Sequence, residues 1–321
     1  MAIERKIMQS NDINALKIKI PTLSLFAGAL CAGATFLLAG SAPAQNLYVA
    51  NVGSGTVGEY GLDGSTINAS LISGLDNNSY SIAISGNDLF VGGNTVGEYT
   101  TSGAAINTSL ILGLDYAAAM AISGNNLFVP NLYNNTVGEY TTSGATVNAS
   151  LISGLDGPGG IAISGNDLFV ANFWDGTIGE YTTSGTVINA SLISGLAGPV
   201  SIAISGNDLF VGIDGSGVEP NNMSSVAEYT TSGATVNASL ISGLNEPWGM
   251  AISGNDLFVA SEYNGTIGEY TTSGAPINAD LISGLDGPLG IAVSPVPEPS
   301  CATLAGLGGA SLWFWLRRHR K

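Results

Sequence analysis

Gly160-Ile161-Ala162-Ile163-Ser164-Gly165-Asn166-Asp167-Leu168-Phe169-Val170-Ala171-Asn172, a short loop, Thr177-Ile178-Gly179-Glu180-Tyr181-Thr182-Thr183-Ser184-Gly185, and then Thr186-Val187-Ile188-Asn189-Ala190-Ser191-Leu192-Ile193-Ser194-Gly195-Leu196 decide the architecture. Four short runs rich in Ile, Val, Leu, Phe, Tyr and Thr are punctuated by Gly, Asn, Asp and Ser, the signature of a four-stranded antiparallel meander. The strands are A (Ile-Ala-Ile), B (Asp-Leu-Phe-Val), C (Thr-Ile-Gly-Glu-Tyr) and D (the Asn-Ala-Ser-Leu-Ile region). Ser-Gly-Asn joins A to B and Thr-Ser-Gly joins C to D, both suited to tight hairpins. Runs such as Ile-Ala-Ile and Leu-Phe-Val do not alternate polar with apolar, so both their faces should be buried.

The unit recurs. Glu-Tyr stands at Glu59-Tyr60, Glu98-Tyr99, Glu139-Tyr140, Glu180-Tyr181, Glu228-Tyr229 and Glu269-Tyr270, in steps of 39, 41, 41, 48 and 41 residues. Four strands in about 41 residues is the period of a propeller blade, whereas the coils of a parallel β-helix are shorter and lack the hairpin rhythm. The first copy opens on a strand B, Asn46-Leu47-Tyr48-Val49, and the last segment, Gly290-Ile291-Ala292-Val293-Ser294, is a strand A. The reading is therefore an all-β, six-bladed β-propeller over 45–295. Its ring is closed by pairing 291–294 with 46–50, which removes the open edges.

Gly160-Ile161-Ala162-Ile163 followed by Asp167-Leu168-Phe169-Val170-Ala171 resembles the repeat of the NHL and SMP-30-like propellers. Ser164 stands where those repeats carry an acid, and their basic residue before the third strand is missing. Trp174-Asp175 is no WD40 signature, since it occurs once and in a B–C loop.

Both ends read as transport segments. Lys17 and Lys19, the apolar run Ile20 to Ala39 and Ser41-Ala42-Pro43-Ala44 form a signal peptide over 1–44, cleaved before Gln45; a retained membrane helix is the competing reading. The tail 296–321 carries Val296-Pro297-Glu298-Pro299-Ser300, the apolar stretch 301–316 with Trp313 and Trp315, and the basic cluster 317–321. A helix of that stretch would be about 24 Å long, and the terminal cations would orient it in a membrane. Pro297, Glu298 and Pro299, the apolar helix and the Arg/Lys end together resemble the PEP-CTERM sorting signal of Gram-negative, exopolysaccharide-producing bacteria. That resemblance implies an exosortase-type processing enzyme as partner, transient anchoring in the inner membrane, and delivery to the cell surface or extracellular matrix. A permanent anchor is the alternative. Cys31 and Cys301 both lie in these terminal segments, so the body has no disulfide.

Of 24 acids and 8 bases, residues 45–296 hold 24 − 3 = 21 acids and 8 − 8 = 0 bases, and the one histidine is His319. With no cationic groove, nucleic acid is excluded as a partner. With no histidine in the body, a catalytic triad, a neutral-pH imidazole base and a His-containing zinc site are excluded too.

In such a meander the A–B and C–D turns share one face of the ring, and the B–C loops and D–A links share the other. Sequence varies on the second face, where repeat proteins usually carry function. Tyr133, Phe173, Trp174, Asp175, Glu246, Trp248, Glu262 and Tyr263 lie there as candidate ligand-binding residues, aromatic planes for sugar rings beside carboxylates for hydroxyls. Drifting loops with aromatics capping blade edges are the plain alternative. The expected function is a non-catalytic surface or matrix protein binding a polysaccharide or a surface protein. A purely structural protein is one alternative. Another is an SMP-30-like, divalent-cation-dependent hydrolase using Ca2+ held by Asp175, Glu219, Glu246 and Glu262. The repeated Glu of Glu-Tyr and the Asp of Asn-Asp-Leu are read as architecture, and the recurring Asn-Ala-Ser (Asn68, Asn148, Asn189, Asn237), which fits a glycosylation sequon, as a relic of the repeat.

Overall fold

The computed structural model describes residues 45–76, 81–215 and 224–295. Segment 1–44, segment 296–321 with Pro297, Glu298 and Pro299, and Glu219 lie outside the described residues. Among the described residues no helix is long and apolar enough to cross a membrane.

Six four-stranded antiparallel sheets follow one another, each in the spatial order A-B-C-D. The fourth is Pro158–Ser164, Asp167–Asn172, Thr177–Thr182 and Val187–Ser194. The first blade takes its strand A from the far end of the chain: Pro288–Val293 pairs with Asn46–Asn51, with Leu47 opposite Val293, Tyr48 opposite Ala292 and Val49 opposite Ile291. The Ser294 amide then donates to the Asn46 carbonyl at 2.8 Å. The ring thus closes on the expected pair of segments.

Local chemistry sets each unit. Ser164 pairs with Asp167, leaving Gly165-Asn166 as a two-residue turn, and Gly165 supplies the positive φ (61°) such hairpins need. In strand C the Tyr181 ring folds over Gly179, where a Cβ would come within 2.7 Å of the ring edge. The fifth blade places Ala227 at this position, fully buried, so a methyl is accommodated there.

The core lies between blades. Phe169, Ala171 and Ile178 pack on Ile202, Leu209 and Val211 of the next blade. Leu168, Val170 and Tyr181 pack on Phe128, Val137 and Ile152 of the preceding one. Strand B thus buries both faces, as its unbroken apolar run demands. Strand A only partly does so: Ala121–Ser123 is half-buried throughout. Strand D departs furthest, since in Val187–Ser194 the first five residues are exposed and Ile193 is the buried anchor. Opposite it, strand C advances two residues (Ile178 to Glu180) while D spans four (Ile193 to Asn189), so D bulges outward. Within the bulge the Ser191 amide donates to Asn189 Oδ1 at 3.2 Å, and Asn68, Asn107, Asn148, Asn237 and Asn278 act likewise in the other blades. The Asn-Ala-Ser runs are therefore structural.

The Glu of Glu-Tyr has two settings. Glu59 accepts from Asn46 Nδ2 at 2.7 Å and Glu139 from Asn126 Nδ2 at 2.9 Å. In the other four blades Asp takes the place of that Asn. Burial first and then the charge of Asp88, Asp167, Asp208 or Asp256 pushes Glu98, Glu180, Glu228 and Glu269 above the usual carboxylate range. These groups line the turn face, once per blade, as architecture would.

Candidate functional site

The D–A links explain why the other face differs from blade to blade. Three links turn on a glycine with positive φ: Gly157 (64°), Gly198 (69°) and Gly287 (66°). Two place a side chain in the same conformation, Tyr116 (65°) and Glu246 (54°). A non-glycine residue in the left-handed region costs about 1–2 kcal/mol, and such strain concentrates at functional positions. Both side chains point to one stretch of the face.

There the aromatic rings form a continuous arc. Tyr116 meets Tyr133 edge-on with centroids 5.6 Å apart, and Tyr133 meets Trp174 at 6.0 Å. Trp174 contacts Phe173 edge-on at 6.5 Å, and Phe173 stacks on Trp248 at 6.2 Å and 20°. Tyr133 and Trp174 are 56% and 49% exposed, so the arc presents open ring surface. Trp174 lies flat over Gly157, whose missing side chain makes that approach feasible. Trp248 also borders the central cavity, which is lined by strand A residues such as Ile82, Met120, Ile161 and Ile202 and encloses only about 80 Å3. That volume is well below the roughly 300–1,000 Å3 of ordinary small-molecule sites.

The arc ends on carboxylates. Trp248 Nε1 donates to Glu246 Oε2 at 3.1 Å, and the Glu262 amide donates to the Glu246 carbonyl at 3.2 Å. The Ser224 hydroxyl donates to the Asp214 carbonyl at 2.6 Å and accepts from the Glu246 amide at 3.2 Å, drawing the base of the long fifth B–C loop against Glu246. Burial, the charge of Glu246, a hydrogen bond to Glu246 and the charge of Asp214 together push Glu262 up to about 7. The same three carboxylates, Glu246 first, raise the Tyr263 hydroxyl, which stands 69% exposed beside them. On the far side of Glu262 and Tyr263 a recess of about 380 Å3 is bounded by Asn264 and Asp286.

Six sequence-predicted residues, Tyr133, Phe173, Trp174, Trp248, Glu246 and Glu262, are thus brought into one chain of contacts, with Tyr263 at its margin. Asp175 is not: it is exposed, and the group its charge reaches is Tyr181. Of the four residues of the calcium alternative, Glu219 lies outside the described residues. Among the described residues no group of three or more acidic, His or Cys side chains could hold a metal ion. Tyr116 and Asp214 complete the site but were not among the candidates. The signal for both was a substitution at one repeat position, Tyr for Gly in a D–A link and Asp at the end of a strand B.

Replacing Glu246 by Gly, as in the three glycine links, should relieve the backbone strain and raise Tm by about 2–4 °C, the equivalent of ~1 kcal/mol in a domain of this size. The gain should depend on pH. A carboxyl raised on folding binds more protons in the folded than in the unfolded state, so stability falls as pH rises from the carboxylate range through about 7. Removing Glu246 lifts part of that loss, so calorimetry should show a larger gain at pH 8 than at pH 5. An equal or smaller gain at pH 8 would contradict this account.

No protein-family model and no curated protein matches the chain. Solved structures do. A chain of a nidogen–laminin complex is similar over 79% of this chain and 100% of its own, with a TM-score of 0.66 and 14% identity. A functionally unknown protein from Desulfotomaculum acetoxidans aligns over 80% and 87% with a TM-score of 0.57 and 17% identity. A catalytically inactive histidine-to-alanine variant of virginiamycin B lyase from Staphylococcus aureus, solved with quinupristin, aligns over 64% and 70% with a TM-score of 0.50 and 22% identity. At these identities the likeness establishes the propeller fold.

Proposed function

We propose that the chain is an exported, non-catalytic propeller of the cell surface or polysaccharide matrix that binds a glycan on its B–C/D–A face. The observation that carries this is the unbroken arc Tyr116–Tyr133–Trp174–Phe173–Trp248, which ends on Glu246 and Glu262. The exposed rings of Tyr133 and Trp174, tilted by 37° to each other, suit contact with sugar rings. Carboxylates at the end of the series suit hydroxyl or amine groups, and Trp248 is held by both stacking and a hydrogen bond. Binding sites of this kind combine apolar and aromatic surface with a few placed polar groups.

The fold's neighbours include a lyase and a member of a binding complex, so fold does not choose between enzyme and binder. The side chains favour the binder. The lyase variant is inactive for want of a histidine, and this chain has one, His319, among its last residues. Export and processing by an exosortase-type enzyme rest on the terminal segments alone. Likeness to the NHL and SMP-30 propellers rests on the A–B strand pair alone.

A glycan array on the purified protein should show retention of one saccharide class. Trp174→Ala and Trp248→Ala should each weaken it about tenfold or more, the usual effect of truncating an aromatic anchor. Undiminished retention by both variants would sink the reading.

A further inference from the structure

We propose that the outer rim of the ring is N-glycosylated at Asn68, Asn107, Asn148, Asn189 and Asn237, one acceptor in each of five blades. The inference stands apart from the loop-face reading, since no residue of the aromatic arc takes part in it.

Each of these residues opens an Asn-x-Ser triplet, the acceptor pattern for attaching a sugar to a carboxamide nitrogen. Such triplets also arise by chance, so their presentation decides. In all five, the Asn and the Ser two residues on are exposed, within the bulge of strand D. The bulge uses only half of each carboxamide. Oδ1 accepts from the Ser amide at 3.1–3.2 Å. Nδ2, with two donors to place, has no protein partner among the described residues. The atom a glycosyl donor must reach is the one the fold leaves over. Two other triplets within the described residues, Asn134-Asn135-Thr136 and Asn264-Gly265-Thr266, are presented differently. Thr136 is half-buried, Thr266 is buried, and Asn264 Oδ1 accepts from Asn245 Nδ2 at 3.3 Å instead.

The sixth blade carries a control of its own. Asn278-Ala279-Asp280 makes the same bend, with the Asp280 amide donating to Asn278 Oδ1 at 3.3 Å, and is equally exposed. It differs in lacking the hydroxyl. The bulge therefore forms without Ser at this position, and the Ser kept in the other five blades has a further use. The residue before each acceptor suggests what a sugar would do there. Ile67, Ile106, Val147, Ile188 and Val236 are 50–54% exposed, and a bulky polar group anchored beside them would shield apolar surface on an edge strand. Transfer joins Nδ2 to C1 of a sugar carried as a glycosyl phosphate or diphosphate. The C1–O bond to phosphate breaks, the leaving group departs with its electron pair, and Nδ2 gives one proton to a base of the transferase.

The test is peptide mapping by mass spectrometry of the protein purified from the cells that make it. An acid-specific protease separates the six triplets, since residues 45–296 hold no Lys or Arg and an acid lies between each triplet and the next. Sugar increments should appear on the peptides of Asn68, Asn107, Asn148, Asn189 and Asn237, and not on that of Asn278. Asp280→Ser should add a sixth site, and Ser191→Ala should strip Asn189 while leaving the other four. Both positions are exposed, and an unchanged circular dichroism spectrum checks that the fold is kept. Protein made in a host without such a transferase should acquire the sugar from the membranes of the producing cells if the donor is lipid-linked. It should acquire it from their cytosol with added nucleotide sugars if the donor is a nucleotide. Bare peptides from the producing cells would overturn the proposal. So would an increment that persists in Asn189→Gln, which places the sugar on a hydroxyl, or an occupied Asn278 in the natural chain.

Discussion

A chain ending at Gly287 should lose its cooperative unfolding transition. The deletion removes Pro288–Val293, the strand on which the ring closes. Leu289 and Ile291 are 5% and 7% exposed, and burying two such side chains stabilises by about 3–6 kcal/mol. Their loss uncovers Leu47 and Val49, which are fully buried, and leaves one side of Asn46–Asn51 as an unpaired edge. Against a total stability of about 5–15 kcal/mol, that is enough to unfold the first blade and splay its neighbours. Denaturant titration followed by circular dichroism should show a broad transition with a reduced slope. A sharp transition with the full chain's slope and a midpoint close to its own would mean that the ring does not depend on closure.

Phe169→Ala should cost about 3–5 kcal/mol, the range for truncating a buried aromatic. Phe169 is 1% exposed and packs on the next blade with Ile202 and Leu209. Ile188→Ala offers the contrast, since Ile188 is 50% exposed on strand D and should change stability by no more than about 0.5 kcal/mol. Urea midpoints for the two variants would decide the matter, and comparable shifts would place the core elsewhere than between blades.

The fold was legible because each signal repeats. Gly165-Asn166, the Leu-Phe-Val run and Gly-Glu-Tyr recur at one period, and the phase of the first and last copies marks the closing strand. The exposure of strand D was less legible. Its Val, Ile and Leu residues look like core, and the outward bulge arises from pairing with strand C, a long-range property. The site was half legible. Trp174, Trp248, Glu246 and Glu262 stand out as departures from the repeat, but their meeting depends on ring geometry that sets different blades side by side. Asp214 joins them through Ser224, ten residues on and across a long loop. Asp175 shows the converse: a conspicuous acid beside a tryptophan, exposed, with its charge acting on Tyr181 of its own blade.

The outward bulge of strand D bears on how these molecules behave when crowded. Each propeller carries six outer strands, several with exposed branched side chains such as Ile67, Val147 and Ile277. Six flat edges on one particle would let neighbours zip into sheets as soon as they were concentrated on a surface or within a gel. Each edge instead carries a buckle in which an Asn side chain holds the backbone out of line, so two outer strands cannot lie straight against each other. The protein can then be packed densely as separate particles, with its loop face free to meet a ligand.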